Sequence, residues 1–243
     1  MFRHKAWMST AAYWLGLVAL LSLPFRSESL FVAAACICAL YFIGSITISV
    51  GYHRLFCHNA FKTYEGVKYA FAFLGVLFMY SSPLQWAVTH ATHHRRSDTE
   101  LDPHPQPLSA QAMFFKGYRD VPLNTWKARS MLRRGSLHAV VDRYYVAIWL
   151  VMATLLLTVS PWFFFDAYLP ALGLAHFVGA LHNTFSHHNG TPRNLWFLEY
   201  LIPSSGEWLH KSHHEHPGRA SFRTKPWHLD LGAVVIYLAR SRT

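Results

Sequence analysis

The sequence predicts an all-α integral membrane protein, with four transmembrane helices and a cytosolic helical cap holding a dimetal site. Three observations carry that expectation. The chain is 52% hydrophobic and only 14% charged, a greasy balance for a soluble domain. Its apolar residues fall into runs long enough to cross a hydrocarbon layer of roughly 30 Å. Seventeen histidines are present, and their clusters would fall on one membrane face.

The 243 residues read as one domain, 1–243, without internal repeat or low-complexity tract. The first span is expected at about residues 7–24. A cleaved signal peptide is the other reading of this run, but no small-x-small site follows it and another run begins within six residues. The second span, about 30–52, carries the uncharged stretch Leu30–Val50, long enough to cross the bilayer at about 1.5 Å per residue. Val67–Thr89 is also apolar, yet Lys68, Pro83 and Gln85 interrupt it, so it reads as a buried or half-inserted segment. The third and fourth spans are expected at about 144–163 and 167–187, with Asp166 between them. The cap would be built from 53–143 and 188–243. Within it, "PHPQP" (103–107) marks a loop, and Pro192, Pro203 and Pro217 punctuate the C-terminal third.

Charge sets the orientation. With four spans, segments 1–5, 53–143 and 188–243 share one side and hold all but Arg26 of the 22 lysines and arginines. The positive-inside rule places that side, with both termini, in the cytoplasm. The net charge of +10 then suits anionic lipid headgroups or an acidic partner. No nucleic-acid-binding motif accompanies it, so nucleic acid is not expected as a partner. Cys36, Cys38 and Cys57 form no disulfide framework and are expected as thiols.

"HATHH" (90–94) and "HKSHH" (210–214) each place three histidines on one helical face. Adjacent histidines diverge by about 100° around a helix, so each triplet suits two metals side by side better than one. "HRLFCH" (53–58) follows the second span, and His187 and His188 close the fourth. All four groups would converge on one membrane face. Neutral imidazole suits iron, zinc, copper or nickel, and the scarcity of carboxylates in the clusters argues against magnesium and calcium. The isolated His4, His104, His138 and His228 are expected at the surface.

The ordered set resembles the membrane fatty-acyl desaturases, in particular the stearoyl-CoA desaturase-like group with three histidine boxes. "GYHRLFCHNAFK" (51–62), "HATHHRRSDTELDPH" (90–104) and "GEWLHKSHH" (206–214) are similar to the three boxes, and "PWHLDLGAVVIYLAR" (226–240) to the tail that follows. The resemblance spans about residues 40–240. It implies two irons (Fe2+) held by His53, His58, His90, His93, His94, His187, His210, His213 and His214. It also implies that Asn183, four residues before His187, bonds a metal-associated water. Trp208-Leu209 before His210, Lys211-Ser212 after it, His216 before Pro217, and the extra His182 and His188 depart from the family pattern.

What the resemblance implies is an O2-dependent oxidoreductase inserting a double bond into a fatty-acyl chain, with O2 reduced to water. The chain would be presented as a thioester of CoA or carrier protein, or linked to a lipid. Glu207, Asp98 and Glu100 are candidate carboxylates behind the histidines. Electrons would come from a separate donor such as a ferredoxin or similar small acidic carrier, met by Arg95, Arg96, Arg129, Arg133 and Arg134. A related hydroxylase or acetylenase would use the same ligands, and a zinc membrane hydrolase is a further alternative. A metal transporter ranks last, because the second span lacks ionisable residues. Tyr41 and Phe42, twelve and eleven residues before His53, are candidates to cap the acyl tunnel.

Overall fold

The second helix does not stop at residue 52. In the computed structural model, which describes residues 6–104, 119, 121–133, 137–188 and 190–241, α2 (Leu30–Ile46) continues without a break as a π-helical segment, Thr47–Cys57. His4, Arg134 and most of the 103–107 loop lie outside the described residues, as does the side chain of His188. The π segment decides where the first histidines point. In an α-helix, residues five apart face about 140° away from one another. Hydrogen bonds of the i→i+5 type, such as that from His58 N to His53 O at 3.1 Å, bring such a pair back to within roughly 50°.

Three helices are long and apolar enough to cross a membrane: Leu30–Cys57, Leu137–Val159 and Phe163–Ser186. The first helix, α1 (Ala6–Arg26), is also apolar, and Pro24 lies in its last turn. Large apolar side chains on these helices face outward, among them Phe31 at 86% and Val159 at 83% exposure. Such a surface is suited to lipid rather than to water. Helix α1 packs along α7 (Leu169–Ser186). Gly16 and Gly173 meet there so closely that a Cβ on Gly16 would lie 2.2 Å from the Gly173 backbone nitrogen, a small-residue crossing of the kind used between membrane helices.

Two boundaries differ from expectation for electrostatic reasons. The helix at the position expected for the third span, α6 (Leu137–Val159), starts ahead of residue 144 and includes Asp142. That carboxylate is buried and accepts the Ser82 hydroxyl. Asp166, expected between the last two spans, lies within a second π segment, Phe163–Tyr168, that leads into α7. It is buried and paired with Arg26 of α1, so its charge does not break the helix.

The interrupted apolar stretch forms two helices, α3 (Glu65–Leu77) and α4 (Pro83–Arg96). Ser82 caps α4 by accepting from Gln85 N at 3.1 Å, with Pro83 at the first helical position. In the turn between them, Met79 and Ser81 take positive φ values of 55° and 73°. Non-glycine residues hold such angles only where their surroundings enforce them. Here Tyr80 N bonds Gly75 O at 2.9 Å, Tyr52 Oη donates to Ser81 O at 3.1 Å, and Ser81 N donates to Tyr145 Oη at 3.2 Å.

Short elements complete the described fold. They are α5 (Trp126–Leu132), α8 (Leu198–Leu201), α9 (His210–Glu215) and α10 (Leu231–Ala239). The all-α expectation needs one small correction. His187–His188 (β1) and Thr191–Pro192 (β2) form a two-residue antiparallel ladder, which turns the chain sharply after α7. The C-terminal segment is locked to the π segment by Arg54 and Asp230, 2.9 Å apart and both fully buried.

Candidate metal centre

The histidines converge as two groups. His53, His58, His90, His94 and His213 form the first, and His93, His187, His210 and His214 the second. Within each group the ligand-capable atoms all lie within 4.8 Å of one another. Helix geometry explains the division. His90 and His94 are one turn apart and differ by about 40° around α4, while His93 is rotated by about 60° from His90 and 100° from His94. The pair therefore enters one group and His93 the other. On α9 the roles are exchanged, with His210 and His214 in the second group and His213 in the first. Both triplets thus serve both groups.

Ring nitrogens face one another closely. His53 Nε2 lies 2.9 Å from His213 Nε2, and His94 Nε2 lies 2.8 Å from His213 Nε2 and 3.0 Å from His90 Nε2. In the second group, His210 Nε2 lies 2.8 Å from His187 Nε2 and 3.0 Å from His214 Nε2. Carboxylates decide the tautomers at the other edge of three rings. His53 Nδ1 faces Glu207 at 2.8 Å, His93 Nδ1 faces Asp102 at 2.9 Å, and His187 Nδ1 faces Asp98 at 3.0 Å. A proton on each Nδ1, donated to its carboxylate, leaves a bare lone pair on Nε2. His58 Nε2 is buried with no hydrogen-bond partner among the described residues. Converging lone pairs repel one another unless a cation lies between them, so the donor set fits metal ions, and the nitrogen-rich first shell fits transition metals.

Burial keeps these rings neutral. His93 is pushed down to about 3 by burial and by His104, against the opposing pull of Asp102. His94 falls to about 3 through burial and the neighbouring His53. Burial also lowers His58, His90, His210, His213 and His214. For Asp102, burial acts upward, but hydrogen bonds from His104 and His93 outweigh it and hold the carboxyl below its ordinary range. Neutral imidazole is the form that binds metal. Aromatic walls fix the rings: Trp86 stacks on His90 at 4.7 Å, and Phe222 packs on His213 at 4.8 Å.

Several expected positions are corrected. Glu100 is exposed, and its backbone carbonyl accepts from Arg119; Asp102 takes the place foreseen for it. His104 is buried, with Nδ1 2.8 Å from Asp102. His138 and His228, expected at the surface, are buried as well. The Asp-Pro-His ending of the second box was the signal that could have singled out Asp102 and His104. Of the extra histidines, His182 bonds the Glu207 carbonyl at 2.7 Å, bracing the third box, while His216 is exposed.

A cavity opens beside the centre. Its wall includes His53, His90, His210 and Asn183, and also Ser45, Ala175, His176, Val178, Tyr41 and Tyr80. Tyr41 is buried and donates its hydroxyl to Pro203 O at 2.7 Å. Phe42, the other tunnel candidate, is 38% exposed and is not part of the cavity wall, because adjacent helical residues point about 100° apart.

The chain is 30% identical over 212 residues to the sn-2 palmitoyl-lipid 9-desaturase of Nostoc sp. (strain 36), covering 79% of this chain and 72% of that protein. The chain belongs to the membrane fatty-acyl desaturases. The desaturase is also 26% identical over 217 residues to acyl-CoA desaturase 1 of Saccharomyces cerevisiae, covering 82% of this chain and 42% of that one. A third relative, the hex-5-enoyl-[acyl-carrier protein] acetylenase of Moorena producens, is 27% identical over 229 residues, covering 80% and 70%. No family model matches the chain. As an acyl desaturase, this protein is an oxidoreductase of lipid metabolism, and its histidine groups could hold metal.

Proposed function

We propose that the desaturase holds one iron in each histidine group and introduces a double bond into an acyl chain lying in the adjoining cavity. The observation that carries this reading is the convergence of nine neutral imidazoles, in groups of five and four, at the mouth of that cavity. In the reaction, a –CH2–CH2– unit loses two hydrogens, and two electrons and two protons arrive from outside. O2 takes up all four electrons and leaves as two waters. Bound iron would supply the oxidising power for an unactivated C–H bond, which no side chain can provide.

The chain's own residues do the rest. Glu207, Asp98 and Asp102 hold three imidazoles in the metal-facing tautomer. Ala175, Val178 and Ile48 line the cavity with apolar surface, which keeps water from the reacting methylenes. Asn183 also lines the cavity and would orient a water at the second group through its side-chain amide. Tyr41 would limit the depth to which a chain can enter.

Four spans, with α1 as the first, and both termini in the cytoplasm complete the reading; the charge distribution supports that orientation. The cap of 53–143 and 188–243, the spans and the centre would then form one domain, 1–243. Exposed Arg95, Arg96, Arg129 and Arg133 on the cap would attract a small acidic electron donor. The substrate is an acyl thioester or a lipid-linked chain, since the relatives' names include lipid, CoA and carrier-protein substrates. The acetylenase relative favours a second reading, in which an existing double bond is carried on to an alkyne.

The test joins metal analysis to product analysis. Protein purified from unsupplemented cells is expected to carry about two irons per chain. Expression in a host lacking its own desaturase is expected to yield monounsaturated chains. His94→Ala and His213→Ala should lose iron and product together. Stoichiometric zinc in a fully active protein would overturn the iron assignment, and alkyne products would favour the second reading.

A further inference from the structure

We propose that the distal end of the acyl cavity binds a hydroxyl group carried by the substrate chain, held between Tyr80 and His176. This rests on reading the cavity as the acyl site. Both residues line the cavity. His176 lies eleven residues before His187, about 16 Å back along the helix from the metal end. The two rings are neighbours, with centroids 5.2 Å apart and planes inclined by 47°.

Three polar groups elsewhere on the wall are paired within the protein. The Tyr41 hydroxyl donates to Pro203 O, Ser45 and Ser205 share a hydrogen bond at 2.9 Å, and His182 bonds the Glu207 carbonyl. Tyr80 Oη and His176 Nδ1 differ. Neither makes a hydrogen bond among the described residues, and each residue is partly exposed. His176 Nε2 lies 2.9 Å from the Phe78 carbonyl and donates to it, so Nδ1 is left as an acceptor. The Tyr80 hydroxyl supplies a donor. A donor and an acceptor side by side match an alcohol, which accepts from one and donates to the other. A plain methyl terminus satisfies neither, and polar groups left bare in an apolar site are costly.

The backbone is built to present this pair. Tyr80 sits between the positive-φ residues Met79 and Ser81, in the turn pinned by Tyr52, Tyr145 and Gly75, and His176 clamps the same turn through Phe78. Gly44 leaves the space: a Cβ there would lie 3.1 Å from Tyr80 Oη and 3.0 Å from the Phe78 ring. Strain held in place this firmly, around a side chain aimed into a cavity, points to use.

The experiment feeds the full-length protein, in a host without its own desaturase, palmitic acid and a set of hydroxypalmitic acids. The set carries the hydroxyl on successive carbons from the methyl end inward. The quantity read is unsaturated product from each hydroxy acid relative to that from palmitic acid. A roughly fivefold preference at one hydroxyl position is expected, the ordinary worth of a hydrogen bond. Tyr80→Phe removes the donor while keeping the ring. His176→Gln keeps a donor to Phe78 while removing the acceptor. Each should bring the ratio back towards one at that position. A wild-type ratio at or below one throughout, or a preference untouched by both variants, overturns the proposal and leaves the pair to water. Absence of unsaturated product from every probe, palmitic acid included, overturns the desaturase reading of the cavity as well, which separates the two failures.

Discussion

Asp98 Oδ2 lies 3.0 Å from Nδ1 of His187, joining residues 89 positions apart. The contact ties the end of the last long helix to the loop after α4, and it sets which nitrogen of His187 faces its group. Asp98→Asn should preserve the fold and lower metal affinity by about 10–100-fold, as is usual for partners behind a ligand. Glu207→Gln should act likewise through His53. Metal titration of the stripped protein checks both, and unchanged affinity in both would refute the role given to these carboxylates.

Acid should destabilise the metal-free protein. Burial pushes His93 and His94 down to about 3 and lowers His90 and His210 too. The folded chain keeps these rings neutral, whereas an unfolded chain protonates them near pH 6.5. Below that point the unfolded state binds more protons, so stability is full above about pH 6.5 and falls as pH drops toward 3. Thermal unfolding in detergent between about pH 7.5 and pH 4 measures it. A flat profile would contradict the assignment.

Removing one partner of the buried Arg54–Asp230 pair should cost about 3–5 kcal/mol. Asp230 also caps α10 through Ala233 N at 2.9 Å, and Arg54 packs over Phe222 at 3.9 Å, beside the His213 ring. Asp230→Asn should lower the unfolding temperature and loosen the first histidine group together. Metal loss without a stability change would instead indicate a purely local effect.

Tyr41→Ala should shift substrate preference toward longer chains. The opened volume accepts extra methylenes, each worth about 0.8 kcal/mol when buried. Phe42→Ala serves as the control, since Phe42 faces away from the cavity. A chain-length ladder in whole cells reads the shift; the same profile in Tyr41→Ala and the wild type would rule Tyr41 out as the limit.

The sequence made some of this legible and hid the rest for definite reasons. The triplets at 90–94 and 210–214 declare themselves because three- and four-residue spacing maps directly onto a helical face. His53 and His58 stand out by their place at the end of the second apolar run, but their spacing does not show a shared face, since residues five apart face one way only on a π-helix. The helix ends near Asp142 and Asp166 were misjudged because each carboxylate finds its partner, Ser82 or Arg26, far away in the chain. Glu100 and Asp102 are two residues apart, and only the Asp-Pro-His ending of the second box marks the one that turns inward. The hydroxyl and imidazole pair at Tyr80 and His176 was likewise invisible, since it needs the turn at 78–82 and α7 side by side.

Neither histidine group is contained in any short stretch of chain. The first needs residues 53 through 213, and the second 93 through 214. During synthesis, then, the earlier histidines wait without their full company until the last triplet has been made and folded back against the π segment. Loading is a late event in the life of the molecule. A nascent chain stalled before His210 could offer partial sets of nitrogens to whatever metal is at hand, so cellular metal supply and quality control would bear on how much of this enzyme matures.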